Sequence, residues 1–153
     1  MANFVYNIAK GRVNEFFNRV KSNDPSTSAI ILIPLSASGT EAEGQDYDTV
    51  TAVLAGTADE RTTGGWSRKT LTDSDLSAWA PDDTNNRGPA TIPQVTWTAP
   101  SSGNNTTGLL VAYDADTGAG NDSNLIPLVH LDFAVTTDGN DVILNAGDVF
   151  RAS

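Results

Sequence analysis

The sequence predicts a mainly β fold with a few short helices: an antiparallel β-sandwich or barrel preceded by an N-terminal helical or extended arm. Three observations carry this. The last 64 residues read as one apolar or alternating strand after another, with turns rich in Gly, Asn and Asp. Ser28–Leu35 is a β-branched run of strand length. Residues 7–21, NIAKGRVNEFFNRVK, instead place Ala9, Val13, Phe16, Phe17 and Val20 at helical spacing. At 153 residues the chain suits one β-rich domain over 28–153, with residues 1–27 as the arm and its helix.

Phe4, Val5 and Tyr6 are unusually apolar for a chain end. Such a start is either tied into the chain's own core or buried against another chain. Gly11 weakens the following helix by about 1 kcal/mol relative to Ala. Ser22–Thr27 is a turn cluster, and Ser36–Gln45 is a small polar loop. Asp46–Gly56 reads as a short helix with Asp46 or Asp48 as N-cap and Gly56 as its stop. After the loop Thr57–Gly65, Trp66–Leu71 alternates like a strand with its aromatic inward. Thr72 and Asp75 resemble a capping box for one or two turns to Trp79, and Pro81–Pro89 is a loop.

Further strands are expected at Ile92–Thr98, with Val95 and Trp97 on one face, and at Gly108–Tyr113. Leu125–Val135 sets Val129, Leu131, Phe133 and Val135 on one side and His130 and Asp132 on the other. Pro127 fits only near that strand's start or on an edge. Thr137–Asn140 is a turn, and Val142–Asn145 and Val149–Arg151 close the series.

Composition excludes several chemistries. There is no cysteine, hence no disulfide, thiolate catalysis or Cys-based metal centre. His130 is the only histidine, so a two-histidine metal site cannot form within one chain. No serine sits in a GxSxG elbow, and His130 reads as a half-exposed strand residue. Neither a P-loop nor a GxGxxG following a strand occurs. The acid pairs Asp46/Asp48, Asp59/Glu60, Asp73/Asp75 and Asp82/Asp83 lie in loops or at helix starts, where capping accounts for many of them. No enzyme activity and no cofactor are expected. No apolar run approaches a membrane span, and Met1–Val5 lacks the basic-then-apolar pattern of a signal peptide.

Residues 113–124, YDADTGAGNDSN, are the nearest approach to a metal loop. Asp114 and Asp116 match the first two calcium ligands of an EF-hand, but Ala119 stands where the glycine belongs and Leu125 where the closing glutamate belongs. A looser oxygen cage from Asp114, Asp116 and Asp122 stays open beside a plain acidic hairpin connection at the solvent-facing tip of the β body. Charge is split along the chain. Residues 1–21 carry Lys10, Arg12, Arg19 and Lys21 against Glu15 alone, a net +3, while the other 132 residues carry five cations and 18 anions, a net −13. The body should be repelled by nucleic acid and anionic lipid, and the basic segment could dock on an acidic partner or pair with its own body. In the first case the acidic loop would point away from the partner.

Several stretches resemble small virion proteins of tailed bacteriophages: Phe4–Val13, Asp46–Gly56, Arg68–Asp73, Pro81–Asn85, Ile92–Trp97, His130–Gly139 and Phe150–Ser153. The resemblance implies a non-enzymatic structural component of the particle, of the head decoration (cement) type, located on the outer surface of the phage head. It implies the major capsid protein as partner and a homo-oligomer, a trimer by preference. Phe4, Val5, Tyr6, Lys10, Arg12, Phe16 and Phe17 are the expected contact residues, with the acidic body facing solvent. Two other readings stay open. One is a head–tail joining or tail protein; the other is a carbohydrate- or calcium-binding β module of a surface fibre, using Trp66, Trp79, Trp97 or the acidic loop.

Overall fold

The computed structural model describes residues 1–152. The chain is mainly β, with antiparallel sheets and a few short helices in a sandwich-like arrangement. Its centre is a six-stranded sheet in the order β1 (Phe4–Val5), β8 (Ile126–Val135), β7 (Thr106–Asp114), β2 (Ala29–Ser38), β3 (Ala58–Glu60). β4 (Lys69–Leu71) pairs with the first half of β2 on the side where β3 pairs with the second half. Two small sheets complete the β structure: β5 (Gly88–Ile92) with β10 (Gly147–Ala152), and β6 (Val95–Trp97) with β9 (Val142–Leu144).

The near-continuous apolar runs of β2 and β7 follow from burial on both faces, which removes the usual alternation. On one face Ile30, Leu32, Leu109, Val111, Tyr113 and Val129 meet α1 (Val13–Lys21) through Val13, Phe16, Phe17 and Val20, together with all three tryptophans, Ile92 and Val95. On the other face Ile31, Ile33, Leu35, Leu110 and Ala112 meet Phe4, Leu125 and α3 (Val50–Ala55) through Val50 and Val53. A single turn, α2 (Glu41–Gly44), interrupts the polar loop before α3.

Local details adjust the sequence reading. The helix expected over 7–21 begins only at Val13, because Gly11 takes φ +78°; a 3₁₀ turn, Asn7–Ala9, precedes it. The N-cap of α3 is Thr49, whose hydroxyl accepts from the Ala52 N–H at 3.1 Å, rather than Asp46 or Asp48. The strand expected at Ile92–Thr98 is divided between β5 and β6. Pro127 is the second residue of β8 and sits at a bulge opposite Ala112, where its missing N–H is tolerated. Val129, Leu131 and Phe133 face the first core, as the alternation requires.

The N-terminal segment is not an arm held apart from the body. β1 pairs with β8 in the register Phe4↔His130 and Val5↔Val129, and α1 covers one face of the central sheet. Residues 1–27 and the body therefore share both clusters of apolar side chains.

Candidate functional site

The seven expected contact residues divide into two groups. Phe4, Tyr6, Phe16 and Phe17 are buried, with exposures of 6, 2, 2 and 0%. Phe4 stacks on His130, and Phe16 lies 4.5 Å from Tyr113 between ring centroids. Val5 is half-buried against the first core. Their apolar surface is already used inside this chain, so as free contact residues they are corrected. Burial also pushes the Tyr6 phenol above its ordinary range.

Lys10 and Arg12 are exposed, as is Arg19 two turns further along the outer face of α1. The Lys10 ammonium donates to Asn7 Oδ1 at 2.6 Å. Arg12 and Arg19 flank Glu15 at 3.5 and 3.2 Å, and the Arg12 guanidinium also lies over the Phe16 ring. This surface carries three cations and one anion, in a chain of net charge −10.

The acidic loop does not gather its carboxylates. Asp114 accepts from the Asp116 N–H at 2.9 Å, and Asp116 accepts from the Gly118 N–H at 3.0 Å, each closing a local turn. Asp122 points elsewhere and forms a two-stranded ion pair with Arg68. Among the described residues no group of three His, Cys, Asp or Glu side chains is arranged to hold a metal ion, and the cage of Asp114, Asp116 and Asp122 does not form. Nor does the loop lie far from the N-terminal segment. Thr117 N–H donates to the carbonyl of Thr27 at 3.0 Å, which places the loop beside the end of that segment.

Sequence reasoning missed Arg68. It joins Glu60 on β3 to Asp122 in the loop, with guanidinium contacts of 2.9 and 2.6 Å to Glu60 and 2.9 Å to Asp122 Oδ2. The hydrogen bonds to Asp122 and Glu60 raise the arginine above its already high value, and those to Arg68 hold the Asp122 carboxyl below its usual range. The signal available was scarcity: Arg68 is one of five cations among the 132 residues after Lys21. A cavity of about 170 Å³ opens beside this pair, lined by Thr70, Asp114, Thr117, Asn121 and Leu125 among others. With Arg68 already engaged by two carboxylates, the cavity presents no free cation for an anionic ligand.

The tryptophans are committed to the core. Trp66, Trp79 and Trp97 are 4, 9 and 0% exposed. Their indole N–H groups donate to the carbonyls of Asn104, Pro89 and Ser67 at 2.7, 2.6 and 2.8 Å. They offer no flat exposed face for a sugar ring.

His130 is wholly buried, where a half-exposed ring was expected. Asp132, two residues on along β8, is exposed, so the pair does not form a shuttle. Comparisons of the chain with protein-family models, with curated proteins and with solved structures find no match.

Proposed function

We propose that this protein is a non-enzymatic virion structural protein of a tailed bacteriophage, a head decoration protein that binds the outer surface of the major capsid protein shell and stabilises it. The observation that carries the reading is the exposed basic surface of the N-terminal segment, Lys10, Arg12 and Arg19, on a chain that is otherwise strongly acidic. The resemblance of several stretches to small virion proteins supplies the class of partner. With Phe4, Tyr6, Phe16 and Phe17 in the core, recognition rests on charge at the rim more than on an apolar arm. A contact of this kind is weak singly and gains from repetition over a symmetric shell. A self-association, with a trimer favoured, would supply that repetition.

The test is attachment of purified protein to shells that lack it. The double reversal Lys10→Glu/Arg12→Glu is expected to weaken attachment by about tenfold or more, and added salt to weaken the wild type in the same sense. Both positions are exposed, so the fold should survive. Unchanged occupancy of the reversal variant would sink this reading. A head–tail joining or tail protein is separated from a shell protein by location in the intact particle: a single ring at one vertex or along the tail, against copies distributed over the head.

A further inference from the structure

His130 occupies an environment suited to one protonation state. The ring is 0% exposed and stacks on Phe4 with centroids 5.0 Å apart and planes 8° from parallel. Neither Nδ1 nor Nε2 has a hydrogen-bond partner. The ring edge is pressed against Gly108 on β7, where an added Cβ would stand 2.5 Å from Nε2. Phe4 in turn is held against α2, with its ring tip 3.0 Å from where a Cβ on Gly44 would lie. The imidazole is thus enclosed by β1, β7 and the side chain that anchors β1.

β1 itself is a slight element. It has two residues, pairing with His130 and Val129, extended by Tyr6 N–H to the Leu128 carbonyl at 3.1 Å and by Asp132 N–H to Asn3 Oδ1 at 2.7 Å. An imidazolium formed inside this enclosure would have two N–H donors and, beyond the nearby Ala2 backbone, no acceptor, a costly state in an apolar setting. The cheapest relief is to lift Phe4 and let water reach the ring, because β1 is an edge strand and the pairings among β2, β7 and β8 do not run through it.

We propose that His130 is an acid-sensitive latch: neutral, it holds the N-terminal strand on β8; protonated, it releases Phe4 and the residues before the 3₁₀ turn while β2, β7 and β8 stay paired. The charged groups nearest the ring are few. The Met1 ammonium opposes its protonation, while Asp132 and Glu41 favour it. Asp132 is exposed and also lies 3.9 Å from the Met1 ammonium, and Glu41 accepts from Gln45, so neither neutralises the ring directly. Desolvation is the largest influence and lowers the affinity of His130 for a proton; the Ala2 backbone, next in size, acts the other way. Proton uptake is then stronger in the open form. The latch is complete above the ordinary histidine value of about 6.5 and weakens as pH falls from there towards the depressed value of the closed form.

The experiment is amide hydrogen exchange on the wild type from about pH 7.5 to about pH 5, expressed as protection factors so that the intrinsic pH dependence is removed. Protection of Phe4 and Tyr6, the amides that face β8, is expected to hold down to about pH 6.5 and to fall by about tenfold for each pH unit below it, while Leu32 and Val111 hold. In His130→Phe, which keeps a ring against Phe4, the fall should vanish. If that variant does not fold, the wild type decides alone, because its single histidine gives one unambiguous imidazole resonance. The charged ring should appear together with the loss of Tyr6 protection. A ring that titrates at its ordinary value with β1 intact overturns the proposal. So does a pH-independent β1, or a fall shared equally by β2 and β7.

Discussion

Arg68 shows how one side chain can organise two distant segments. Its guanidinium spans Glu60 and Asp122, so β3 and the acidic loop are positioned by one planar donor. All three side chains are partly exposed, with relative areas of 29% for Arg68, 15% for Glu60 and 34% for Asp122, and screening reduces what the pair contributes. Arg68→Ala is expected to cost about 1–3 kcal/mol in urea unfolding, and Arg68→Lys to recover only part of it, since an ammonium cannot span both carboxylates. The pH dependence has a definite sign. Asp122 has its carboxyl lowered in the fold, so the pair contributes fully above the unfolded value of about 3.9 and is lost as pH falls through the lower folded value. An acid titration of stability should therefore be flatter in Arg68→Ala than in the wild type. Gly108 is the other decisive residue. A Cβ there would stand 2.4 Å from Ser38 Oγ and 2.5 Å from His130 Nε2, so Gly108→Ala is expected to lower the thermal midpoint by overpacking, with about 1–3 kcal/mol lost.

Among the elements, the strands were the most legible from sequence. The cores of β2, β7 and β8 follow from apolar runs and alternation that burial dictates, although β2 continues to Ser38, three residues into the stretch expected as a polar loop. Helix starts were less so. Gly11 and the carboxylates before α3 are recognisable punctuation, but which oxygen caps a helix depends on the loop's path. Thr49 wins because its extended backbone aims the hydroxyl at Ala52 N–H, while Asp46 accepts from Asn7 Nδ2 at 2.7 Å. Thr49→Ala is expected to cost about 1 kcal/mol by chemical denaturation, and Asp48→Ala little. Of the capping box expected at Thr72 and Asp75 only one half forms, the Asp75 carboxylate accepting from the Thr72 N–H at 2.8 Å, and residues 73–78 make turns instead of the expected helix. Breaking Ile92–Thr98 into two strands was not legible, because their partners, β10 and β9, lie more than forty residues downstream.

For the molecule as a whole, the consequential arrangement is a sheet covered on both faces, with the N-terminal segment supplying part of each cover. Truncation should reveal it. Deleting residues 2–9 removes Phe4, Tyr6 and Ala9 together with β1, and is expected to destabilise the entire domain by about 3 kcal/mol or more, seen as a lowered thermal midpoint. If residues 1–27 were a detachable arm, the midpoint would not move. Truncation therefore cannot test partner binding, and charge reversal at Lys10 and Arg12 takes its place.

What the sequence determined by itself is the kind of architecture. Strand periodicity, turn chemistry and the β-branched run are local consequences of backbone sterics and burial, and they specify a mainly antiparallel β chain with few helices. It also determined that the apolar N-terminus must be covered, by this chain or by another. Only the tertiary structure decided which. Whether Phe4 meets a partner or His130, and whether Asp122 joins a metal cage or Arg68, depends on pairings across 126 and 54 residues of chain. No local pattern encodes such distances, because an apolar ring or a carboxylate has the same local signature whichever partner the fold brings to it.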